Sequence, residues 1–158
     1  MVRKIVLALA VLLVAIQLVP YGRDHSNPPV TMEPRWNSAD TKATFHRVCG
    51  DCHSHRTEWP WYSHVAPASW LVQHDVDEAR SEFNVSNPDG GKEAHEAAEM
   101  VLEGKMPLKQ YLLAHPEAKL TEEEKRAFAI GLDATFGKGR AGGGGDDESL
   151  GEKSGYLD

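Results

Sequence analysis

The hydrophobic residues of this chain form one continuous run near the N-terminus and several helical stripes further on. Residues 5–19 are almost wholly apolar, interrupted by Gln17, and Arg3 and Lys4 precede them. Such a run is typical of a signal-peptide core or a short membrane anchor. Because no small-x-small cleavage site follows, we expect an uncleaved anchor over residues 1–22. The positive-inside rule then predicts a cytoplasmic N-terminus and an exported domain.

Helical periodicity begins only after a proline-rich segment, residues 23–35, which we interpret as an extended linker that lifts the domain away from the membrane. Ser38 is a candidate N-cap, and the apolar positions after it repeat at helical spacing as far as Cys49. A capping box at Thr121 predicts the start of the last helix, and Gly137 predicts its end. Further helices are therefore predicted at residues 68–80, 92–103, 108–112 and 121–136.

This pattern predicts an all-α domain over residues 36–137, with no alternating segment to indicate a strand. Residues 138–158 are rich in glycine and acidic side chains, and we predict that this tail is disordered. The formal net charge of the 158-residue chain is −7 at pH 7. This charge argues against nucleic acid as a partner, and an acidic face would suit a basic redox partner.

Both cysteines of the chain lie in one motif, Cys-x-x-Cys-His, at residues 49–53. This motif is the attachment signature of c-type haem, in which two sulfurs add to the porphyrin vinyl groups. Cys49 and Cys52 are the candidate thioether sites, and His53 is the candidate proximal iron ligand. A thioredoxin-like redox pair would need a βαβ context, and a structural zinc site would need two further ligands at close spacing.

Aromatic residues are concentrated shortly after this motif. We predict that they pack against a porphyrin, although an ordinary aromatic core is the alternative interpretation. A backbone carbonyl near Pro67 is expected to accept a hydrogen bond from the second ring nitrogen of His53. The candidate cofactor-binding residues beyond the motif are Trp59, Trp61, Tyr62, Pro67 and Trp70.

The second axial ligand decides the function of a haem protein. Met106 is our candidate, because it lies between a flexible Gly104 and Pro107, which holds a loop extended. Methionine–histidine ligation would make an electron carrier, whereas an open or displaceable position would make a haem-based sensor or a weak peroxidase. Imidazole ligands compete with methionine, and the rival candidates are His64, His74, His95 and His115.

Several stretches of the chain resemble the bacterial haem-binding domain family. They are residues 49–54, 59–63, 65–70, 104–108 and 111–118, and the resemblance extends roughly from residue 36 to residue 132. It implies a cytochrome c-like, all-helical domain with one covalent haem c, usually anchored outside the cytoplasm. It also places Met106 at the family's Met-Pro position. The resemblance supports a haem protein, and the expectation of an electron carrier that exchanges electrons with redox proteins in the periplasm rests on Met106 as a ligand.

Overall fold

Seven α-helices and three short 3₁₀ turns, with no strand, account for the secondary structure of residues 1–87, 91 and 93–137, which are the residues that the computed structural model describes. The helices are α1 (Val2–Ile16), α2 (Ala39–Val48), α3 (Gly50–His53), α4 (Ala68–Glu82), α5 (Ala97–Leu102), α6 (Lys109–Ala114) and α7 (Glu122–Phe136). The 3₁₀ turns are Trp61–His64, Ala94–Glu96 and Pro116–Ala118. The predicted all-α fold class is confirmed over these residues, and the predicted disordered tail, 138–158, lies outside them.

Local capping chemistry fixes the start of two long helices. The Ser38 hydroxyl accepts a hydrogen bond from the Thr41 N–H at 3.1 Å, which begins α2. Thr121 and Glu124 form a reciprocal capping box at the start of α7. Both starts agree with the sequence prediction.

The predicted helix over residues 92–103 is shorter in the structure. A 3₁₀ turn covers Ala94–Glu96, and only Ala97–Leu102 are α-helical. Helix α4 begins at Ala68, and Pro67 is its N-cap. Residue 92 lies outside the described part of the chain.

The core lies between α2, α5 and α7, where Phe45, Val101, Phe128 and Leu132 are buried. Gly131 lets α7 approach α2, because a Cβ atom at this position would collide with the Thr41 side chain. This close crossing holds α2, and therefore the turn of helix that follows it, in a fixed position against the core.

Helix α1 has 15 residues, and its apolar side chains are exposed. Over residues 1–87, 91 and 93–137, the structure has no helix that is both long enough and apolar enough to cross a membrane. The predicted membrane-spanning anchor is therefore not supported.

The proline-rich segment contacts the domain and does not extend away from it. The Asn27 side-chain amide donates to the Thr57 carbonyl at 2.8 Å. His55 Nδ1 donates to the Pro29 carbonyl at 2.9 Å. Gly22 also packs against the start of α4. The physical reason is that polar groups in a segment without regular structure need hydrogen-bond partners, and the domain supplies both acceptors and donors.

Candidate haem site

A single helical turn groups the three side chains of the Cys-x-x-Cys-His motif. Helix α2 ends as the Cys49 N–H donates to the Phe45 carbonyl at 2.8 Å, and the His53 N–H then donates to the Cys49 carbonyl at 2.9 Å. Cys49 and Cys52 are half-buried and free of disulfide bonds. The motif therefore presents two thiols and one imidazole from one short helix that is joined directly to the core.

His53 is held by Phe83 in two ways. Its Nδ1 donates to the Phe83 carbonyl at 3.0 Å, and its ring stacks on the Phe83 ring with centroids 4.2 Å apart. The side chain is only 8% exposed, and burial lowers the pKa of His53. A neutral imidazole whose Nδ1 carries the proton has its lone pair on Nε2, which is the state required of an iron ligand.

This partner corrects the expectation that a carbonyl near Pro67 would orient His53. Helix α4 ends at Glu82, and Phe83 has extended backbone angles. Its carbonyl lies beyond the helical hydrogen-bond pattern and is therefore available to a side chain. The sequence offered no signal for this role, because Phe83 is 30 positions from His53.

His53 and Cys49 line a cavity of about 370 Å³, which lies within the size range of small-molecule sites. Its walls include the core residues Phe45, Val101 and Leu132. The donor groups at this cavity, a buried imidazole and the neighbouring thiols, fit a haem in chemistry.

Met106 lines the same cavity from the loop after α5. The helix ends with Gly104 at φ 68°, where the Gly104 N–H donates to the Val101 carbonyl at 3.1 Å. The Lys105 and Met106 N–H groups both donate to the Met100 carbonyl at 3.0 Å. These bonds form a Schellman-type ending that fixes the backbone of Met106. Met100 lines the cavity as well.

Two smaller cavities adjoin the first through shared lining residues. One, of about 40 Å³, is lined by both Cys52 and Met106. The other, of about 130 Å³, is lined by Cys52, Tyr62 and His115. Tyr111 lines both, and its hydroxyl donates to Asp51 at 2.8 Å. Tyr111 was not among the residues predicted for the site, and its role depends on how α6 packs against the motif.

The predicted aromatic residues have different positions. Tyr62 borders the 130 Å³ cavity, and its hydroxyl is 3.0 Å from His115 Nε2. Trp59 stacks on His25 at 4.6 Å, and Trp61 is 79% exposed. Closeness in sequence to the motif therefore does not bring every aromatic side chain to the cavities. The predicted residues that line none of these three cavities are Trp59, Trp61, Pro67 and Trp70.

The rival histidines do not line the 370 Å³ cavity. His64 packs edge-on against His25, and His74 lies 3.6 Å from Glu78. His95 lies 4.0 Å from Glu96. Met106 is thus a better-placed candidate for a second axial ligand than any of the four histidines.

The electrostatics of the thiols bear on the redox alternative. Burial raises the pKa of Cys49 to about 12 and that of Cys52 to about 12. Thiol–disulfide exchange needs thiolate near neutral pH, so an oxidoreductase would require these values to be lowered. These pKa values therefore do not favour a thiol–disulfide oxidoreductase.

Comparison with known families identifies the class of the protein. The model of the haem-binding domain family matches residues 11–133, and the chain belongs to this family. The comparisons with curated proteins and with solved structures returned no match. The family membership and the chemistry of the 370 Å³ cavity agree that this is a haem-binding protein. The Cys-x-x-Cys-His motif and the loop that carries Met106 both contribute to the lining of this cavity.

Proposed function

We propose that the protein is a c-type monohaem electron carrier. In this proposal Cys49 and Cys52 would hold one haem through thioether bonds, and His53 and Met106 would ligate its iron. The main support is that His53, Cys49 and Met106 line one cavity of about 370 Å³. The bound haem would supply reversible one-electron chemistry, and filling both axial positions suits outer-sphere transfer.

The residues around the site have separate tasks in this proposal. The Phe83 carbonyl fixes the tautomer of His53 and increases the basicity of its free nitrogen. The apolar walls formed by Phe45, Val101 and Leu132 limit access of water to the cavity. A thioether from Met106 would raise the reduction potential, because it stabilises the reduced iron. The chain thus supplies orientation, exclusion of water and tuning of the potential.

We place the haem domain on the extracytoplasmic side, with redox proteins of the periplasm as partners. The support is in the sequence, where Arg3 and Lys4 precede the apolar segment in the order typical of a signal peptide or a short anchor, either of which directs export of the domain that follows. The net charge of −7 favours basic proteins among these partners.

The test is a visible spectrum of the ferric holoprotein, in which a methionine sulfur gives low-spin haem a weak band in the red. We expect Met106→Ala to lose this band. The matched control is Met100→Ala, which removes the same side chain from the wall of the same cavity and should retain the band.

Two results would contradict the proposal. If Met100→Ala alone loses the band, Met100 is the ligand and the assignment of Met106 is wrong. If the native protein is already high-spin and binds carbon monoxide when reduced, the second axial position is open. The alternative function, a haem-based sensor or weak peroxidase, would then replace the electron carrier.

A further inference from the structure

Trp61 lies on the protein surface although it belongs to the 3₁₀ turn Trp61–His64, which contributes to the wall of the 130 Å³ cavity. Its side chain is 79% exposed, whereas the next residue, Tyr62, borders the 130 Å³ cavity. Leu71 borders the same cavity and is 47% exposed, and Leu113 of α6 is 87% exposed. Trp61 and Leu113 each precede a residue that lines this cavity, Tyr62 and Ala114, and exposed apolar residues beside a cavity are typical of interaction sites. We call Trp61, Leu71 and Leu113 the docking patch.

A chain of ring contacts runs inward from this patch. The Trp61 and Tyr62 rings meet edge to face with centroids 5.9 Å apart. The Tyr62 hydroxyl lies 3.0 Å from His115 Nε2, and His115 stacks on Tyr111 at 4.1 Å with the planes 9° apart. Tyr111 then lines the 40 Å³ cavity together with Cys52. The surface is thus connected, ring by ring, to the attachment motif.

The charged residues that line the cavity beside the docking patch are carboxylates. They are Asp51, Glu58 and Asp75, and no lysine or arginine is among the lining residues. Glu117 lies 3.1 Å from His115 Nδ1 and adds a further carboxylate. An apolar centre beside acidic groups complements a partner that carries positive charge around an apolar contact.

We propose that the docking patch is the contact surface for a basic redox protein with a one-electron cofactor, and that the rings from Trp61 to Tyr111 connect that protein to the haem. This inference rests on the proposed electron-carrier function. In the step itself one electron passes from the reduced haem to the oxidised cofactor of the partner. The iron changes from ferrous to ferric, and no bond or proton is exchanged.

The test uses reduced holoprotein and two inorganic oxidants in a stopped-flow instrument. Tris(phenanthroline)cobalt(III) is cationic and aromatic and imitates the proposed partner, while hexacyanoferrate(III) is anionic. We expect Trp61→Ala to slow oxidation by the cobalt complex by about three- to tenfold, because the docking patch of the variant attracts this oxidant less strongly. Oxidation by hexacyanoferrate(III), the reduction potential and the visible spectrum should stay unchanged. The matched control is Ile130→Ala, which removes an apolar side chain, 70% exposed, from α7.

A second readout does not depend on electron transfer. Paramagnetic tris(phenanthroline)chromium(III) should broaden the indole N–H signal of Trp61 more strongly than the anionic hexacyanochromate(III) does. Equal broadening by both complexes would mean that the patch has exposure but no preference for cations, and this would overturn the docking proposal.

The remaining outcomes separate this proposal from the proposed function. If Trp61→Ala and Ile130→Ala react equally fast with the cobalt complex, the docking patch is wrong, while fast oxidation of the native protein leaves the carrier function intact. If Trp61→Ala shifts the potential and slows both oxidants, Trp61 affects the haem itself and the docking proposal also fails. If the native protein is oxidised slowly by both complexes and binds carbon monoxide, the carrier function fails.

Discussion

Two groups of residues that contribute to the lining of the 370 Å³ cavity and would supply the iron ligands are constructed differently. In the first, which we call the histidine wall, residues 49–53 and Phe83 are joined by a side-chain hydrogen bond of 3.0 Å and a ring stack of 4.2 Å. In the second, which we call the methionine wall, residues 104–108 form a loop in which a backbone hydrogen bond to Met100 holds Met106 and Lys105 pairs with Glu103 at 2.6 Å. His53 is buried, whereas Met106 is half-buried.

This difference has a functional consequence. A ligand whose side chain is fixed by packing and by a hydrogen bond keeps its position whichever second ligand binds the iron. A ligand that depends on the geometry of a short loop can be displaced at lower cost, because local opening requires fewer contacts to break. We therefore expect changes on the histidine wall to affect folding and haem retention, and changes on the methionine wall to affect mainly ligation.

The largest effect is expected from Cys49→Ser combined with Cys52→Ser. Without thioether bonds, haem should be lost under denaturing conditions, and the empty cavity should leave a poorly folded chain. Mass spectrometry measures the covalent haem, and the dispersion of an NMR spectrum measures the fold. Native protein made without haem-attachment machinery is the control and should behave in the same way. A well-dispersed spectrum from either haem-free protein would contradict this prediction.

A smaller but still large effect is expected from Phe83→Ala. Phe83 is buried, and removal of its ring should lower the free energy of unfolding by about 3–5 kcal/mol. The matched control is Phe128→Ala, which empties another part of the core at a residue that does not line the cavity. Denaturant unfolding should show losses of similar size for the two variants.

An acid titration should distinguish these two variants. Burial lowers the pKa of His53, so the neutral, ligating form is present above this pKa and is lost as the pH falls through it. Phe83→Ala admits water beside the imidazole and should move the loss of the native visible spectrum to higher pH. Phe128→Ala should leave the midpoint of this titration unchanged. Equal midpoints would show that the Phe83 ring has no special effect on His53.

The sequence predicted those features of the fold that depend on neighbouring residues. The helix starts at Ser38 and Thr121 and the helix ends at Gly104 and Gly137 follow from capping and from glycine conformation. The grouping of the motif side chains is equally local, because one helical turn contains them.

The features that sequence reasoning missed depend on tertiary packing. Phe83 and Tyr111 reach the motif from elements that are 30 and 60 positions away, and no local pattern distinguishes them. Trp59, which was predicted to contact the porphyrin because of its nearness in sequence, packs against His25 of the proline-rich segment, and its contact with the porphyrin stays a prediction. The contacts of that segment also depend on partners that are far away in the chain.

The smallest effect, and the one specific to the methionine wall, is expected from Gly104→Ala. Gly104 has φ 68°, and no atom would contact an added Cβ, so the cost comes from the backbone alone. We expect the free energy of unfolding to fall by about 1 kcal/mol. Because the loop must relieve this strain, Met106 should be displaced more often, and the reduced protein should bind carbon monoxide faster than the native protein does.

Gly137 provides a matched control for this variant. It also has a positive φ, 87°, and open space around an added Cβ, but it ends α7 and does not line the cavity. Gly137→Ala should therefore lower stability by at least as much, because its φ of 87° and ψ of 163° are essentially restricted to glycine, and it should leave the binding of carbon monoxide unchanged. If the two variants bind carbon monoxide equally fast, general destabilisation explains the effect. The methionine wall would then be no easier to open than the rest of the fold, and the contrast with the histidine wall would be wrong.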